Sequence, residues 1–140
     1  MKDLGRREPP LVVLLRGRSR TYPDEVDARR ARLREFALGL PEAREEFPWG
    51  ESVVKVRRKV FVFLGQQDGA KRPAITVKLA ESHAHALAIE GAEPTGYGLG
   101  RSGWVTVPVR AVPIAVLRDW IEESYRVVAP KRLAAGLDVG

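Results

Sequence analysis

Between Ala43 and Leu79 the chain carries four short segments with alternating side-chain character: Ala43 to Phe47, Ser52 to Val56, Lys59 to Gly65 and Pro73 to Leu79. A period of two is the spacing of β-strands, whose successive side chains leave opposite faces of a sheet. The connections are short, namely Pro48 to Glu51, Arg57 with Arg58, and Gln66 to Arg72. Parallel neighbours need a crossover of about a dozen residues, so these lengths predict an antiparallel meander. One apolar face of that sheet then has to be covered by the rest of the chain.

Helical periods flank the strands. Leu33, Phe36, Ala37 and Leu40 fall at i, i+3, i+4 and i+7 and define one buried stripe, which Gly39 and Pro41 end. Thr21 or Asp24 is the expected cap of this helix, opening at Pro23 to Val26. The closing segment is the clearest. Pro113 suits a first helical position, and Leu117, Trp120, Ile121, Ser124, Tyr125 and Val128 line up opposite Arg118, Asp119, Glu122 and Arg126, with Pro130 as the stop. Glu81 to Ile89 reads as a short helix, Glu90 to Gly103 as a Gly-rich loop, and Trp104 to Val109 as a further strand. The order α-β-β-β-β-α-β-α predicts an α+β two-layer sandwich, with about five antiparallel strands and the helices on one face.

A chain of 140 residues supports one core. We expect that domain over residues 21–140, preceded by a flexible basic arm over 1–20 in which Leu11 to Leu15 is a candidate edge strand. The arm holds six Lys/Arg and two Asp/Glu, a net +4; with 24 cations and 18 carboxylates in all, residues 21–140 carry 18 − 16 = +2. Arginines outnumber lysines 18 to 6, and guanidinium forks suit bidentate phosphate contact, although a GC-rich genome's codon bias gives the same excess. No apolar stretch reaches the roughly 20 residues of a membrane span, and the five of Leu11 to Leu15 fall short of the roughly 7 to 15 of a secretory h-region. The absence of cysteine excludes disulfides and fits a reducing compartment, so a cytoplasmic location is expected. Separately, a monomer is expected in preference to an oligomer.

Catalytic and metal motifs do not emerge. Gly98 to Gly103 has the letters G-x-G-x-x-G, but it follows a loop and leads into a strand, whereas a dinucleotide fingerprint follows a strand and opens a helix. Arg101 and its neighbouring amides remain a candidate phosphate contact. His83 and His85, two apart on a helix, point about 200° away from each other and are expected to face solvent. Glu45-Glu46 and Glu122-Glu123 are expected to be solvated charges, since sequence neighbours rarely converge across a cleft. No cofactor is implied and no enzymatic activity is expected. Arg57-Arg58-Lys59, at a hairpin tip, is the most suggestive cluster because three cations there can meet a nucleic-acid backbone. Lys71 and Arg72 would lie at the sheet's opposite end. Trp49 and Trp104 stand where an aromatic can stack on a base, with core packing as the competing role.

Several residues together resemble the MmcQ/YjbR-like family: the Trp49-Gly50 turn, the strand Arg58 to Val62, the strand end Thr76 to Leu79, Trp104 leading a strand, and the helix Ile121 to Val128, over about residues 25 to 135. The resemblance implies a helix-covered antiparallel sheet, similar to frataxin-like or secretion-chaperone-like folds, in proteins described as DNA-binding with a winged arrangement of hairpins. With nucleic-acid binding as the leading reading, the candidate contact residues are Arg57, Arg58, Lys59, Lys78, Arg101 and Trp104. The Gly-Arg-Ser-Gly run before Trp104 departs from the more His/Lys-rich lead of the family. The alternative is a protein- or small-ligand-binding module with a pocket near Trp49, Lys78 and Trp104. Frataxin-like iron handling fits poorly, because Arg29, Arg30, Arg32 and Arg34 stand where hard cations want carboxylates.

Overall fold

A computed structural model of the chain describes residues 15–65 and 73–139. In chain order these form α1 (Leu15–Leu38), β1 (Ala43–Glu46), β2 (Ser52–Val56), β3 (Lys59–Gly65), β4 (Ala74–Lys78), α2 (His83–Leu87), β5 (Glu93–Pro94), β6 (Trp104–Pro108), α3 (Ile114–Val128) and α4 (Lys131–Val139). The sheet has six strands in the order β1-β2-β3-β4-β6-β5, every neighbouring pair antiparallel. The expected α+β sandwich is therefore present, with one more strand and one more helix than the sequence predicted.

The differences have physical reasons. β5 is a two-residue edge bridge containing Pro94, too short for any periodicity and placed where a missing N–H costs no ladder bond. α4 starts directly after Pro130, which ends α3 and whose carbonyl accepts from the amides of Leu133 and Ala134. At the front, α1 begins at Leu15, so Pro23 lies inside the helix instead of opening it. The helix thus takes in the end of the segment expected as an arm. Residues 1–14 lie outside the described part, and with them most of the proposed Leu11 to Leu15 strand; so do Lys71 and Arg72.

One face of the sheet is the core. Val54, Val62, Val77 and Val105 sit side by side across four strands, each fully buried. Against them pack Leu33 and Ala37 of α1 and Leu117, Trp120, Ile121 and Tyr125 of α3. Each such aliphatic or aromatic side chain stabilises the fold by about 1.5–3 kcal/mol through apolar burial. The other face carries Phe63, Thr76, Lys78, Trp104 and Thr106. Thr106 bonds Thr76 across one strand pair at 2.9 Å and Thr95 across the other at 3.0 Å.

The helices are also fastened to the sheet by polar bonds at two defects in it. The β2–β3 register shifts between Ser52 and Val53 and again between Val54 and Lys55, leaving Leu64 and Phe61 of β3 as extra residues. A bulge frees a backbone carbonyl from the ladder, and a buried carbonyl needs a donor. Arg30 of α1 donates to Leu64 O at 2.8 Å, and the Ser124 hydroxyl of α3 donates to Phe61 O. Ser124 Oγ also accepts from the Lys78 amide of β4 at 2.8 Å, so one hydroxyl ties α3 to two strands.

Candidate functional site

The Arg57-Arg58 turn joins β2 to β3 in a two-residue hairpin closed by the Val56–Lys59 pair. Arg57 has φ 61°, at the first central position. Two-residue hairpins with a left-handed first residue take glycine there, because a Cβ costs roughly 1–2 kcal/mol in that region. A forked ion pair offsets part of the strain. Arg57 Nε lies 2.5 Å from Glu42 Oε1 and Nη2 lies 3.2 Å from Oε2. Glu42 itself sits at φ 61°, so two of the three left-handed non-glycine residues among those described face each other in one pair. The Arg57 hydrogen bond holds the Glu42 carboxyl below its ordinary range, with the charges of Arg57 and Arg132 adding to the effect.

Beside this turn runs a groove of about 980 Å³ between the β1 start, the hairpin tip and the α3–α4 corner. Its floor is apolar, formed by Val56 and the stretch Val127 to Pro130, and Val127 is exposed. Its charged lining is Arg44, Arg57, Arg58, Lys59, Arg126 and Lys131 against Glu42 alone. Lys131 and Arg132 occupy the first turn of α4, where no acidic residue stands and where the helix dipole already places positive charge. Like charge gathered at a helix N-terminus is unfavourable for the protein alone and raises the local potential that an anion meets.

Most cations elsewhere are answered internally. Arg29 donates to Val109 O at 2.9 Å and to Val112 O. Arg34 forks onto Glu45, whose carboxyl also accepts from Ser52. The Arg34 hydrogen bond is the main reason that the Glu45 carboxyl is held below its usual value. Lys55 pairs with Glu46 at 2.9 Å, and Arg118 lies over the Phe36 ring at 4.8 Å. Arg126 links Glu122 of its own helix to Asp138 of α4, at 3.0 and 2.9 Å. By contrast Arg58, Lys59, Lys78, Arg101, Lys131 and Arg132 make no ion pair among the described residues.

Those unanswered cations share one end of the sheet. Lys59 opens β3, Lys78 closes the antiparallel β4, and Trp104, opposite Lys78, opens β6 just after Arg101. The hairpin tip, Lys78 and the Arg101 loop therefore lie along one edge, as the sequence suggested for the tip alone. Within the Arg57-Arg58-Lys59 cluster only Arg57 is neutralised. Trp104 is 8% exposed and stands edge-on to Phe63, with centroids 5.4 Å apart. Its ring is engaged in packing and is not offered to a base. The Trp49 side chain lies outside the described part.

The sequence reading of the acidic pairs needs correction. Glu45, Glu46 and Glu122 are partners of Arg34, Lys55 and Arg126, and Glu123 accepts from the amides of Ala80 and Ser82 at 2.8 and 3.0 Å, anchoring the start of α2. Burial pushes the Glu123 carboxyl up, yet the Ser82 and Ala80 bonds outweigh it and leave the group below its ordinary value. The histidines differ likewise. His85 is exposed with its ring edge-on to Trp120 at 5.6 Å, whereas His83 is half-buried and its Nε2 finds no hydrogen-bond partner among the described residues. Glu42, Arg44, Arg126 and Lys131 were not singled out from sequence as members of a site. One signal was present for the α4 wall: Leu133 and Leu137, at i and i+4 after Pro130, mark a helix start.

No curated protein matches the chain. Among solved structures, the crystal structure of Deinococcus radiodurans protein DR2400, with a DUF419 family-model domain, is similar at 23% identity and a TM-score of 0.61, covering 77% of this chain and 86% of that one. At that identity the likeness establishes the fold. The YjbR family model matches residues 38–127, from the end of α1 through the Ser124-Tyr125 segment of α3. With its hairpin tip, its bulge-locking serine and all six strands of its sheet inside that match, the chain belongs to the YjbR family.

Proposed function

We propose that this protein is a non-enzymatic, cytoplasmic nucleic-acid-binding protein that receives DNA phosphates at the end of the sheet carrying the Arg57-Arg58 turn. The observation that carries this reading is the segregation of charge. Arg29, Arg30 and Arg34 of α1 and Lys55 of β2 have carbonyl or carboxylate partners, while Arg58, Lys59, Lys78, Arg101, Lys131 and Arg132 gather at one end without an ion pair among the described residues; Arg32, alone on exposed α1 surface, also makes none there. Unpaired cations in water gain most by meeting a polyanion, because each phosphate they neutralise releases condensed counterions. Arg58 and Lys59 project from a rigid two-residue turn, which limits the entropy lost on contact. The absence of cysteine fits the reducing compartment of the cytoplasm. No helix among the described residues is long and apolar enough to cross a membrane.

The test is a fluorescence-anisotropy titration of a labelled duplex at two salt concentrations. Three to five phosphate contacts give a slope of log affinity against log salt of roughly −3 to −4.5. Absence of binding at low salt to both duplex and single-stranded DNA removes the proposal. A sizeable thermal shift with a small metabolite and none with DNA would instead support a small-ligand role for the groove, whose apolar floor and cationic rim also suit a compact anion.

A further inference from the structure

The loop between β5 and β6, residues 96–103, is rich in glycine, yet it is tightly built. Gly100 donates to Thr95 O at 2.9 Å, and a Cβ there would meet Pro94 Cβ at 2.9 Å and Thr95 O at 3.1 Å. Gly103, at φ 98°, lies so close to β4 that a Cβ would stand 3.0 Å from Leu79 O, and its own carbonyl accepts from the Leu79 amide. These bonds weld the loop to the sheet. On it sits Tyr97, with φ 60° and 103% exposure, so its ring touches nothing in the fold. A tyrosine in the left-handed region is strained, and a ring wholly in water gains nothing from burial. Glycine would make the same turn without either penalty. Strain held at a rigid, exposed position is a reason to look for a ligand.

The surroundings specify which ligand. No carboxylate lies within residues 96–103, and the charged side chain of the loop, Arg101, has no ion-pair partner among the described residues. Tyr97 is flanked by Gly96 and Gly98, so it lacks the ring of neighbouring side chains that surrounds a protein-binding hot spot. β5 pairs with β6 through Pro94 and Val105, and the Thr95 amide donates to Trp104 O, which places the loop at the same end of the sheet as the Arg57-Arg58 turn. Three strand spacings of about 4.8 Å separate the two hairpins, or roughly 14 Å. That distance corresponds to about four nucleotides of a B-form strand.

We propose that Tyr97 is a base-stacking residue that gives this protein a preference for single-stranded nucleic acid, the Arg58-Lys59 tip and Arg101 holding the flanking phosphates. The inference rests on the polyanion reading above. In a duplex both faces of each base are covered by its neighbours, whereas a splayed single strand offers a π-face that an exposed phenol ring can stack on regardless of base identity.

The test compares the full chain with Tyr97→Gly and Tyr97→Trp by fluorescence anisotropy, using a labelled twelve-nucleotide thymidine strand and a twelve-base-pair duplex. Glycine suits φ 60°, so Tyr97→Gly is expected to melt at or above the parent's temperature, which separates binding from folding. It is expected to lose about tenfold in affinity for the single strand and less than twofold for the duplex, with an unchanged salt slope because no phosphate contact is removed. Tyr97→Trp is expected to retain or improve single-strand affinity. Equal affinity of parent and Tyr97→Gly for the single strand, or an equal loss on both substrates, overturns the inference while phosphate binding stands. A parent that binds neither nucleic acid at low salt overturns both.

Discussion

Three arginines of α1 and two cations of the β2–β3 turn are the same chemistry put to opposite uses. Arg30 and Arg34 reach across to a carbonyl and a carboxylate of the sheet, Arg29 reaches carbonyls of the connection between β6 and α3, and Arg30 is almost wholly buried while doing so. Arg58 and Lys59 reach into water with no ion pair among the described residues. The first group completes hydrogen bonds that the fold leaves open, above all at the Leu64 bulge. The second completes none. Counting arginines therefore says little about affinity for polyanions; what counts is which of them the fold has left without a partner.

The largest effect should come from reversing the unpartnered charge. Arg58→Glu with Lys59→Glu is expected to weaken DNA binding by about a hundredfold, roughly 2.7 kcal/mol, while the unfolding free energy changes by no more than exposed substitutions allow, about 0.5 kcal/mol. A comparable fall in thermal stability would show that the tip is architectural after all and would break the contrast. Ser124→Ala probes the opposite class. It strips the donor from Phe61 O and the acceptor from the Lys78 amide in a buried site, so urea unfolding should show a loss of about 2–3 kcal/mol. Its DNA affinity, measured where the variant is still folded, should be unchanged.

Arg57 sits between the two classes, since it stands at the tip but pairs with Glu42. Arg57→Gly relieves left-handed strain of roughly 1–2 kcal/mol and removes an ion pair that solvent screens. Denaturation should find it neutral or more stable by up to about 1 kcal/mol, and a clear loss of stability would mean that the pair does more than offset the strain. The smallest effect concerns pH. The folded-state value of Glu45 is depressed, chiefly by Arg34, so its contribution is fully present above the ordinary glutamate value of about 4.3 and is lost as pH falls through the lower folded value. Thermal melts below about pH 4.3 should lose stability less steeply in Glu45→Gln than in the parent. Parallel curves would remove Glu45 from the acid-sensitive set.

Legibility from sequence followed the range of the interactions. β2 and β3 run over the residues that alternation predicts, because a period of two needs only neighbours in the chain. The bulges at Phe61 and Leu64 were not legible, since each depends on a register set across strands and on a partner in a distant helix. For the same reason Ser124 and Tyr125 could be recognised as a family signature before their work was visible. Tyr125 bonds Pro41 O at 2.8 Å, 84 residues away, and stacks edge-on to Phe61. At the site, position on a turn was enough to single out Arg57 to Lys59. That Arg57 is neutralised and its two neighbours are not follows from β1–β2 pairing, which brings Glu42 beside the tip.

The most direct test of the central claim is the salt dependence of DNA affinity in the parent and in a variant carrying Arg58→Gln and Lys59→Gln. If these two side chains contact phosphates, the slope of log affinity against log salt becomes shallower by about 1.8, the release of two counterion equivalents from B-form DNA. Identical slopes would show that DNA, if bound, is held elsewhere on the molecule.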